Sequence, residues 1–496
     1  MSLAIVRSRT QVGMSAISVD VEVHLANGLP SFNVVGMPET AVKESKDRVR
    51  GALINSKFEF PAKRIIVNLA PADVPKGGGR FDLPIALGIL IASGQLQGVT
   101  LDDYEVIGEM ALSGELKPVL GCLPTAMSCH AAGRTLITSM QSAQEATLIH
   151  GLDIIAGNCL LDIAAHLAGD KILESPSSLQ ENVEPQTTAD LSDVKGQYHA
   201  KRALEIAAAG GHHLLFYGPP GSGKTMLASR LPGILPDMST KQALEVAAVL
   251  SVSSQGFNLQ HWRKRPYRAP HHSASAAALI GGGSHPKPGE ISMAHNGVLF
   301  LDELPEFSRH ALEQLREPLE TGYVNIVRAN QSVRYLCQLQ LIASMNVCKC
   351  GWFGDPSDKC RCSQTQVEAY RNRISGPLLD RIDMHVHLPR LDVRELQSDE
   401  QGESSEAVKK RVAHARELQT RRQSCTNAEL TTQQIEQYCE LNQQCLKMLV
   451  QASEKLNLSA RVYHRIVKLA RTIADLESEE EIEKHHISEA ISFREV

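Results

Sequence analysis

The stretch HHLLFYGPPGSGKTMLASR, residues 212–230, decides the fold of this chain. An apolar segment with strand character, 214–217, runs directly into the glycine-rich turn GPPGSGKT at 218–225, and a helical segment follows. Glycines let the backbone N–H groups of such a turn wrap phosphate oxygens, and the helix N-terminus adds a favourable dipole. The stretch predicts a parallel α/β core with a phosphate-binding loop made of Gly218, Gly221, Ser222, Gly223, Lys224, Thr225 and Met226.

Two later strands supply the acidic and amide groups that such a loop requires. NGVLFLDELPEF, 296–307, delivers Asp302 and Glu303 at the carboxyl end of a buried strand, where α/β sheets place their chemistry. LQLIASMN ends in Asn346, a side chain suited to positioning a water molecule or the terminal phosphate. We expect Asp302 to hold Mg²⁺ with the Thr225 hydroxyl, and Glu303 to act as the general base. The pattern predicts ATP hydrolysis, with Lys224 reaching the β- and γ-phosphates.

Two arginines lie on a polar turn before the last apolar strand of this region, in RNRISGPLLDRIDMHV. A guanidinium from a neighbouring subunit can neutralise the charge that develops on a transferred phosphoryl group. Arg381 and Arg373 both fit that task, and their spacing does not rank them.

Length and composition describe a soluble multidomain protein of 496 residues, 43% hydrophobic and 22% charged. We expect an N-terminal α/β block over 1–170, a polar linker over 171–190, the ATPase core over 191–390 and a helical region over 391–496. The N-terminus lacks the apolar run of a signal peptide, and the longest apolar segment, LPIALGILIA at 83–92, is too short to span a membrane. Scattered thiols suit a reducing compartment, so the predicted location is cytoplasmic.

A basic segment interrupts the core between the loop and the acidic pair. Residues 261–290, HWRKRPYRAPHHSASAAALIGGGSHPKPGE, carry five Lys or Arg, four His and one acidic residue, although the whole chain has a net charge of −5. Such a segment predicts contacts with nucleic-acid phosphates, while a merely solvated face is the alternative. A second candidate is the hairpin TGYVNIVRANQSVRY at 321–335. The candidate DNA-binding residues are Lys264, Arg265, Arg268, His271, His272, Lys287, Arg328 and Arg334.

Four cysteines cluster in VCKCGWFGDPSDKCRCS, with the spacing CxC-x9-CxC. Four thiolates can close a tetrahedral Zn²⁺ site with no open position for water, so we predict a structural metal at Cys348, Cys350, Cys360 and Cys362. Unligated thiols or a redox-sensitive pair are the alternatives.

These motifs together resemble the AAA+ ATPases, in the branch that contains the magnesium-chelatase ATPase subunit and, within it, the ComM/YifB family. The resemblance covers nearly the whole chain and is most specific over 265–306. It implies a hexameric motor that promotes DNA branch migration in homologous recombination during natural transformation. Single-stranded and branched DNA, and other recombination proteins, are the implied partners, without a membrane.

By the same resemblance, Lys224 and Thr225 match Walker A, Asp302 and Glu303 match Walker B, Asn346 matches sensor 1, Arg381 matches the arginine finger acting in trans and Arg461 matches sensor 2 of a C-terminal helical lid. The basic segment 261–290 corresponds to an insertion that faces the central pore. Six copies of it would make the pore strongly positive, although each subunit is slightly acidic.

The N-terminal block resembles a Lon-protease-like domain of the ribosomal S5 domain 2-like α+β class. Lon proteolysis needs a Ser and a Lys, but PADVPKGGGRFDLPIALG contains no Ser, and Pro124 stands about where the Lys would be. We therefore predict no protease activity, and Lys76 and Arg80 become weak candidates for contacts with DNA or a neighbouring subunit. The alternative function is a chelatase-type ATPase that remodels a protein partner without DNA.

Overall fold

The computed structural model of the chain describes residues 3–176, 189–283, 286–328, 331–354, 359–390, 402–456 and 458–494. The chain folds into two compact units. The first comprises Met1–Val183, Ala247–Trp262 and Val327–Arg334, and the second comprises Glu184–Val246, Arg263–Ile326 and Tyr335–Val496. The units differ from the predicted continuous core over 191–390, because two segments of that range pack with the first unit. Most of the predicted linker, 177–188, lies outside the described residues.

The strands of the first unit form three sheets. A four-stranded sheet has the order β1-β2-β4-β3, a three-stranded parallel sheet has the order β5-β8-β9, and β6 pairs with β7. These strands are β1 (Leu3–Val12), β2 (Ser15–Ala26), β3 (Ser31–Val35), β4 (Arg64–Ala70), β5 (Tyr104–Val106), β6 (Glu109–Met110), β7 (Leu116–Lys117), β8 (Thr135–Ser139) and β9 (Ile154–Gly157).

Alternating side chains of β2 build the core of this unit. Val19, Val21, Val23 and Leu25 are all buried, as their alternation with polar residues predicts. They pack near the apolar helix Asp82–Ala92, and an added Cβ at its Gly88 would lie 2.5 Å from Val23. The segment 83–92 is therefore a core helix. Among the described residues, no helix is long and apolar enough to cross a membrane.

Helices of the first unit lie between and beside these strands. They are α1 (Thr40–Lys43), α2 (Ser45–Asn55), α3 (Asp82–Ala92), α4 (Cys122–Ala131), α5 (Met140–Ala146) and α6 (Leu160–Ala168).

The second unit contains a five-stranded parallel sheet with the order β11-β14-β17-β10-β18. All five strands point the same way, so their carboxyl ends share one edge, as the sequence predicts for a phosphate-binding core. The hairpin β12–β13 also belongs to the second unit, whereas the hairpin β15–β16 contributes Val327–Arg334 to the first unit and its remaining residues to the second. The strands are β10 (Leu214–Tyr217), β11 (Tyr267–Arg268), β12 (Gly281–Gly282), β13 (Lys287–Pro288), β14 (Val298–Leu301), β15 (Tyr323–Arg328), β16 (Gln331–Leu336), β17 (Gln340–Met345) and β18 (Met384–His387).

The remaining helices pack mainly in the second unit, and α10 runs from it into residues of the first. They are α7 (Tyr198–Gly210), α8 (Lys224–Ala228), α9 (Leu231–Ile234), α10 (Thr240–Ser251), α11 (Ala276–Ile280), α12 (Glu290–Met293), α13 (Arg309–Glu313), α14 (Pro318–Thr321), α15 (Gln364–Arg371), α16 (Gly376–Leu379), α17 (Ser405–Gln423), α18 (Thr432–Tyr438), α19 (Gln443–Leu456), α20 (Ala460–Glu477) and α21 (Lys484–Ser492).

The C-terminal helices share one hydrophobic core with the parallel sheet. Val412 of α17 and Ile466 of α20 belong to the same buried cluster as Leu214, Phe300 and Met384 of the sheet. The helical content after residue 402 agrees with the prediction from composition. Residues 391–401, where the sequence predicts this region to begin, lie outside the described part of the chain.

Candidate functional site

Three neighbouring strands bring the predicted nucleotide-binding residues to one edge of the parallel sheet. β17 lies between β10 and β14, with Tyr217 opposite Met345 and Leu301 opposite Ala343. The glycine-rich turn, the acidic pair and Asn346 leave the ends of these three strands. Because parallel strands end together, residues far apart in the sequence meet within hydrogen-bonding distance.

The glycine-rich turn presents an open cradle. Gly221 and Gly223 have φ angles of +75° and +93°, a left-handed conformation that L side chains rarely adopt. A Cβ added at either position would meet no described atom within 4 Å. The space above the turn is therefore free, as a loop that wraps a phosphate group requires.

The Lys224 ammonium is held across this cradle. Its Nζ donates to the carbonyls of Gly218 and Pro219 at 2.9 and 2.8 Å, and it lies 3.3 Å from Oδ1 of Asn346. Burial lowers the pKa of Lys224, while the charges of Asp302 and Glu303 oppose that shift. These contacts bring together the predicted phosphate-binding lysine and the predicted sensor amide.

Hard oxygen ligands meet beside the lysine. The Thr225 hydroxyl donates to Oδ2 of Asp302 at 2.9 Å, and the Ser344 hydroxyl donates to Oδ1 of the same carboxylate. A carboxylate and a hydroxyl beside an open phosphate cradle form the donor set that Mg²⁺ prefers. The donors therefore fit this ion. The sequence analysis missed Ser344, although a polar residue within the apolar strand β17 was a usable signal.

Glu303 adopts a strained backbone conformation. Its φ and ψ of 54° and 49° lie in the left-handed region, which costs a residue with a side chain about 1–3 kcal/mol. The Glu303 N–H donates to Asp302 Oδ1 at 3.1 Å and to Ser344 Oγ at 3.3 Å, which holds this conformation in place. The turn lifts the half-exposed Glu303 carboxylate away from the strand end.

Three further side chains lie near the site, and the sequence predicts none of them for a role in nucleotide binding or hydrolysis. His272 Nδ1 lies 3.4 Å from the Glu303 carboxylate, so the segment after β11 reaches the predicted base. Burial raises the pKa of Tyr370 to about 12, and its hydroxyl bonds the backbone of Asn346. Gln197 donates from Nε2 to the carbonyls of Ser222 and Pro389 at 3.3 and 2.9 Å. The sequence predicts His272 only as a DNA contact, and Tyr370 and Gln197 belong to no recognisable motif, so the positions of all three beside this site depend on contacts that only the fold creates.

The two candidates for the arginine finger, Arg373 and Arg381, lie at opposite ends of the strands of the parallel sheet. Arg373 contacts the segment just after Glu303, because its Nη1 lies 3.0 Å from Glu306 Oε2 and 3.3 Å from the carbonyl of Pro305. Arg381 precedes β18 and so lies at the amino-terminal edge of the strands, opposite the phosphate cradle. The fold thus distinguishes two residues that spacing alone could not rank.

Arg381 and Arg461 share one carboxylate at that opposite edge. Arg381 donates from Nη2 to Glu320 and from Nη1 to the carbonyl of Pro377 at 2.7 Å. Arg461 of α20 donates to the other oxygen of Glu320 at 2.6 Å. Burial alone would raise the pKa of Glu320, but the hydrogen bond from Arg381 and the nearby positive charges lower it. The predicted sensor 2 residue therefore lies with the predicted finger and not with the cradle.

Part of the basic segment serves the fold. Arg265 donates to the carbonyls of Pro236 and Asn296, both at 2.7 Å, and burial lowers its pKa to about 10. Arg268 forms a two-point ion pair with Glu290, at 2.7 and 2.9 Å. Both arginines, which the sequence predicts as DNA contacts, are therefore engaged in bonds within the fold. They fix the segment, which forms β11, α11, β12 and β13 over its described residues.

Other predicted DNA-binding residues remain on the surface. His271 and Lys287 are exposed, while Lys264 and His272 are partly buried. Arg328 and Arg334 are exposed on the hairpin β15–β16, beside Val327, which is 66% exposed.

The four clustered cysteines come together as predicted. Cys348 Sγ lies 3.3 Å from Cys350 Sγ and 3.9 Å from Cys360 Sγ, and all four sulfur atoms lie within 4.8 Å of one another. Sulfurs at Zn–S distances of 2.3 Å around a tetrahedron would be roughly 3.8 Å apart. A hydrogen bond from the backbone of Trp352 lowers the pKa of Cys350 to about 6, which favours the thiolate. The thiols therefore fit a tetrahedral Zn²⁺ ion.

The weak suggestion that Lys76 and Arg80 contact DNA is wrong, because both side chains are buried. Lys76 Nζ donates to the carbonyl of Pro71, and Arg80 donates to the carbonyls of Leu120 and Arg9 at 2.5 and 3.4 Å. Burial lowers the pKa of Arg80 to about 10. Arg80 is thus a buried residue of the segment PADVPKGGGRFDLPIALG, which the resemblance aligns with the nucleophile loop of Lon proteases.

Comparison with known proteins covers both units. Profiles of the magnesium chelatase subunit ChlI match residues 190–396 and 21–142, and a profile of the ChlI C-terminal region matches residues 402–494. The Competence protein ComM of Haemophilus influenzae is 49% identical over the whole chain and 98% of its own length. YifB of Salmonella typhimurium is also 49% identical, over 97% of its length. A shorter match, 29% identical over 31% of this chain and 38% of the other, is to the Holliday junction branch migration complex subunit RuvB of Pseudarthrobacter chlorophenolicus.

Proposed function

The chain belongs to the magnesium-chelatase-like family of AAA+ ATPases that includes ComM and YifB, and from this premise we propose that it is an ATP-driven DNA translocase that promotes branch migration. The family implies ATPase activity with ATP and Mg²⁺. The observation that carries the proposal is the meeting of Lys224, Asp302, Glu303 and Asn346 at one sheet edge above an open glycine cradle. The similarity to ComM, a competence protein, supports a role in recombination during natural transformation.

In the proposed hydrolysis reaction, each residue at this edge has one task. Lys224 binds the β- and γ-phosphates, and the backbone N–H groups of Gly221 and Gly223 wrap them. Thr225 and Asp302 hold Mg²⁺, which would neutralise phosphate charge. Glu303 accepts a proton from the attacking water, and Asn346 orients that water. Gly218, Ser222 and Met226 complete the loop, and Ser344 positions Asp302.

We assign Arg381 to the neighbouring subunit's nucleotide and Arg461 to the same interface. Arg381 stands before β18 and the cradle follows β10, so about 10 Å of strand separates the two edges within one subunit. The shared contact with Glu320 supports joint action of both arginines. A ring, expected to be a hexamer, supplies each active site with them in trans. Arg373, tied to Glu306, belongs to its own subunit's site.

For DNA, the proposed contacts are those candidates that remain at the surface. Lys264, His271, His272 and Lys287 would face the pore, with Arg328 and Arg334 on the second hairpin. Arg265 and Arg268 instead hold the backbone of the segment. Repetition around a ring would concentrate positive potential on a threaded strand, so binding should be independent of sequence and sensitive to salt.

The remaining assignments concern domains and metal. We propose a structural Zn²⁺ at the four clustered cysteines, an N-terminal Lon-like domain over 1–170 without a catalytic dyad, a linker over 171–190, an ATPase core over 191–390 and a helical lid over 391–496. The buried Arg80 supports the loss of proteolysis, since a charged side chain bonded to two carbonyls offers no nucleophile.

The test is steady-state ATP hydrolysis with and without single-stranded and four-way-junction DNA, at low and high salt. We expect DNA to raise the rate several-fold, salt to remove that rise, and Lys287→Glu to abolish it without changing basal hydrolysis. Lys447→Glu, an exposed lysine on α19, is the matched control. Hydrolysis that ignores DNA would refute the translocase and favour a chelatase-type ATPase acting on a protein partner. Branch migration is then measured directly on a labelled junction.

A further inference from the structure

The cysteine cluster packs directly against the phosphate-binding loop. Gly351, between Cys350 and Trp352, has a φ of +85°, and a Cβ added there would lie 2.6 Å from Cγ and Cδ of Pro220. Pro220 is part of the turn that forms the phosphate cradle. The backbone of Gly351 therefore packs against the Pro220 ring with no room for a methyl group between them.

A small apolar cluster extends this contact beneath the loop. Val347, Cys348 and Val367 form its buried centre, and Tyr217 and the other three cysteines pack around them. Tyr217 is the last residue of β10, immediately before Gly218. The cysteines thus support the base of the turn as well as its side.

Both flanks of the cluster also lead to the nucleotide site. Upstream, Asn346 stands two residues before Cys348 and contacts Lys224. Downstream, the guanidinium of Arg390 lies 6.0 Å from the ring of Trp352. The preceding residue, Pro389, accepts a hydrogen bond from Gln197, which also bonds Ser222 of the loop.

We propose that the metal held by the four cysteines keeps the phosphate-binding loop in its nucleotide-binding conformation, so that metal occupancy regulates nucleotide affinity. The inference rests on the proposed function, because it takes Zn²⁺ and ATP as the two ligands. Cys348 and Cys350 come from one segment, and Cys360 and Cys362 come from another. The metal would tie the two segments to one centre and so fix Gly351, which follows Cys350, against Pro220. Without the metal, Gly351 would lose that constraint. A loop that is no longer preorganised binds its ligand more weakly.

The experiment uses the full chain, with metal content measured by elemental analysis and affinity measured by titration with a fluorescent ADP analogue. Chelation should remove about one Zn²⁺ per chain and weaken ADP binding about tenfold, because a loop that is no longer preorganised must be ordered when the nucleotide binds. Added Zn²⁺ should restore the affinity. Gly351→Ala should weaken ADP binding while the metal stays bound, because the new methyl group displaces Pro220.

Gly354→Ala is the matched control. Gly354 lies on the same segment with a φ of +79°, but an added Cβ there meets no described atom within 4 Å. Both substitutions carry the same left-handed strain, and only Gly351→Ala adds a clash. We therefore expect Gly354→Ala to retain both metal and affinity.

Three results would overturn the inference. Metal-free and metal-loaded chains that bind ADP equally would refute it and leave the proposed ATPase intact. Equal loss of affinity in Gly351→Ala and Gly354→Ala would refute the contact with Pro220 as its route. If no form binds ADP, the nucleotide site itself fails, and the inference falls with it. Circular dichroism identifies any chelated sample that has unfolded, and a Cys362→Ser chain, which lacks one of the four ligands, then replaces it as the metal-deficient form.

Discussion

Arg381 offers the sharpest test of a shared active site. Its guanidinium is tied to Glu320 and Pro377 at the amino-terminal edge of the sheet, while the cradle lies at the other edge. The four residues of β18 span about 10 Å, so a similar distance separates the edge with Arg381 from the edge that carries the chain's own Lys224. We predict that Arg381→Ala abolishes hydrolysis by removing a charge from the neighbouring site.

The expected loss is large. An arginine that stabilises the charge on a transferred phosphoryl group contributes about 10³–10⁵ in rate, or roughly 4–7 kcal/mol. Lys224→Ala, which lacks the phosphate-binding ammonium, should be equally inactive. In a ring made of either variant alone, every interface between subunits lacks one of the two groups, either the Lys224 ammonium or the Arg381 guanidinium.

Mixing the two variants distinguishes action in trans from action in cis. In a randomly mixed ring, about one interface in four combines an intact Lys224 with an intact Arg381, so the mixture should regain about a quarter of the normal rate if sites act independently. Steady-state phosphate release after subunit exchange is the assay. Lys224→Ala mixed with the double variant Lys224→Ala, Arg381→Ala is the control and should remain inactive.

Failure of the active mixture to exceed either variant alone would refute the trans assignment, provided that both variants assemble. Size-exclusion chromatography establishes assembly. Recovery in the mixture would also exclude misfolding as the cause of the Arg381→Ala defect, because an unfolded Arg381→Ala subunit could not supply the intact Lys224 cradle that the active interfaces need.

Other predictions concern the base and a buried histidine. Glu303→Gln should keep ADP affinity but lower the hydrolysis rate by about 10²–10⁴, since only proton transfer is removed; a parallel loss of ADP binding would contradict a role as base. Burial lowers the pKa of His213 to about 4, below its ordinary value, and its Nδ1 accepts a hydrogen bond from the Leu341 N–H. As the pH falls, the His213 side chain therefore takes up a proton in the unfolded chain before it does so in the folded chain. Its contribution to the free energy of unfolding should be constant above about pH 7 and should fall as the pH drops through 6.5 toward 4. The loss should reach about 1 kcal/mol at pH 5.5. Urea unfolding at pH 7.5 and 5.5 measures this change, and a His213→Gln chain with the same pH dependence would contradict it.

The sequence predicts the parallel sheet and the residues at the centre of the site, because each apolar run ends directly before a polar residue that the site uses. The alternation in β2 predicts which of its valines are buried, and all of them are. Likewise, Asp302 and Asn346 each follow an apolar run, and parallel strands that end at one edge bring such residues together without any further information. The cysteine cluster is predicted by its spacing alone, because the four ligands lie within fifteen residues.

The sequence could not predict which side chains bond to backbone carbonyls. The sequence predicts Arg265 and Arg268 as DNA contacts, yet the first bonds two carbonyls and the second pairs with Glu290. A carbonyl has no signature in a sequence, since every residue has one, so its choice of partner depends on tertiary packing. For the same reason Gln197 was missed. Helix α10 begins in the second unit, and the pattern of its last residues, 247–251, gives no sign that they pack with the first unit.

The left-handed backbone of Glu303 has a consequence for attempts to stabilise this protein. Glycine adopts that conformation without penalty, so Glu303→Gly would relieve strain of about 1 kcal/mol and remove a half-exposed charge. A selection for thermal stability would therefore favour Glu303→Gly, a replacement that removes the proposed base. Directed evolution of a hardier enzyme needs to hold this codon constant, because here robustness and turnover select opposite residues.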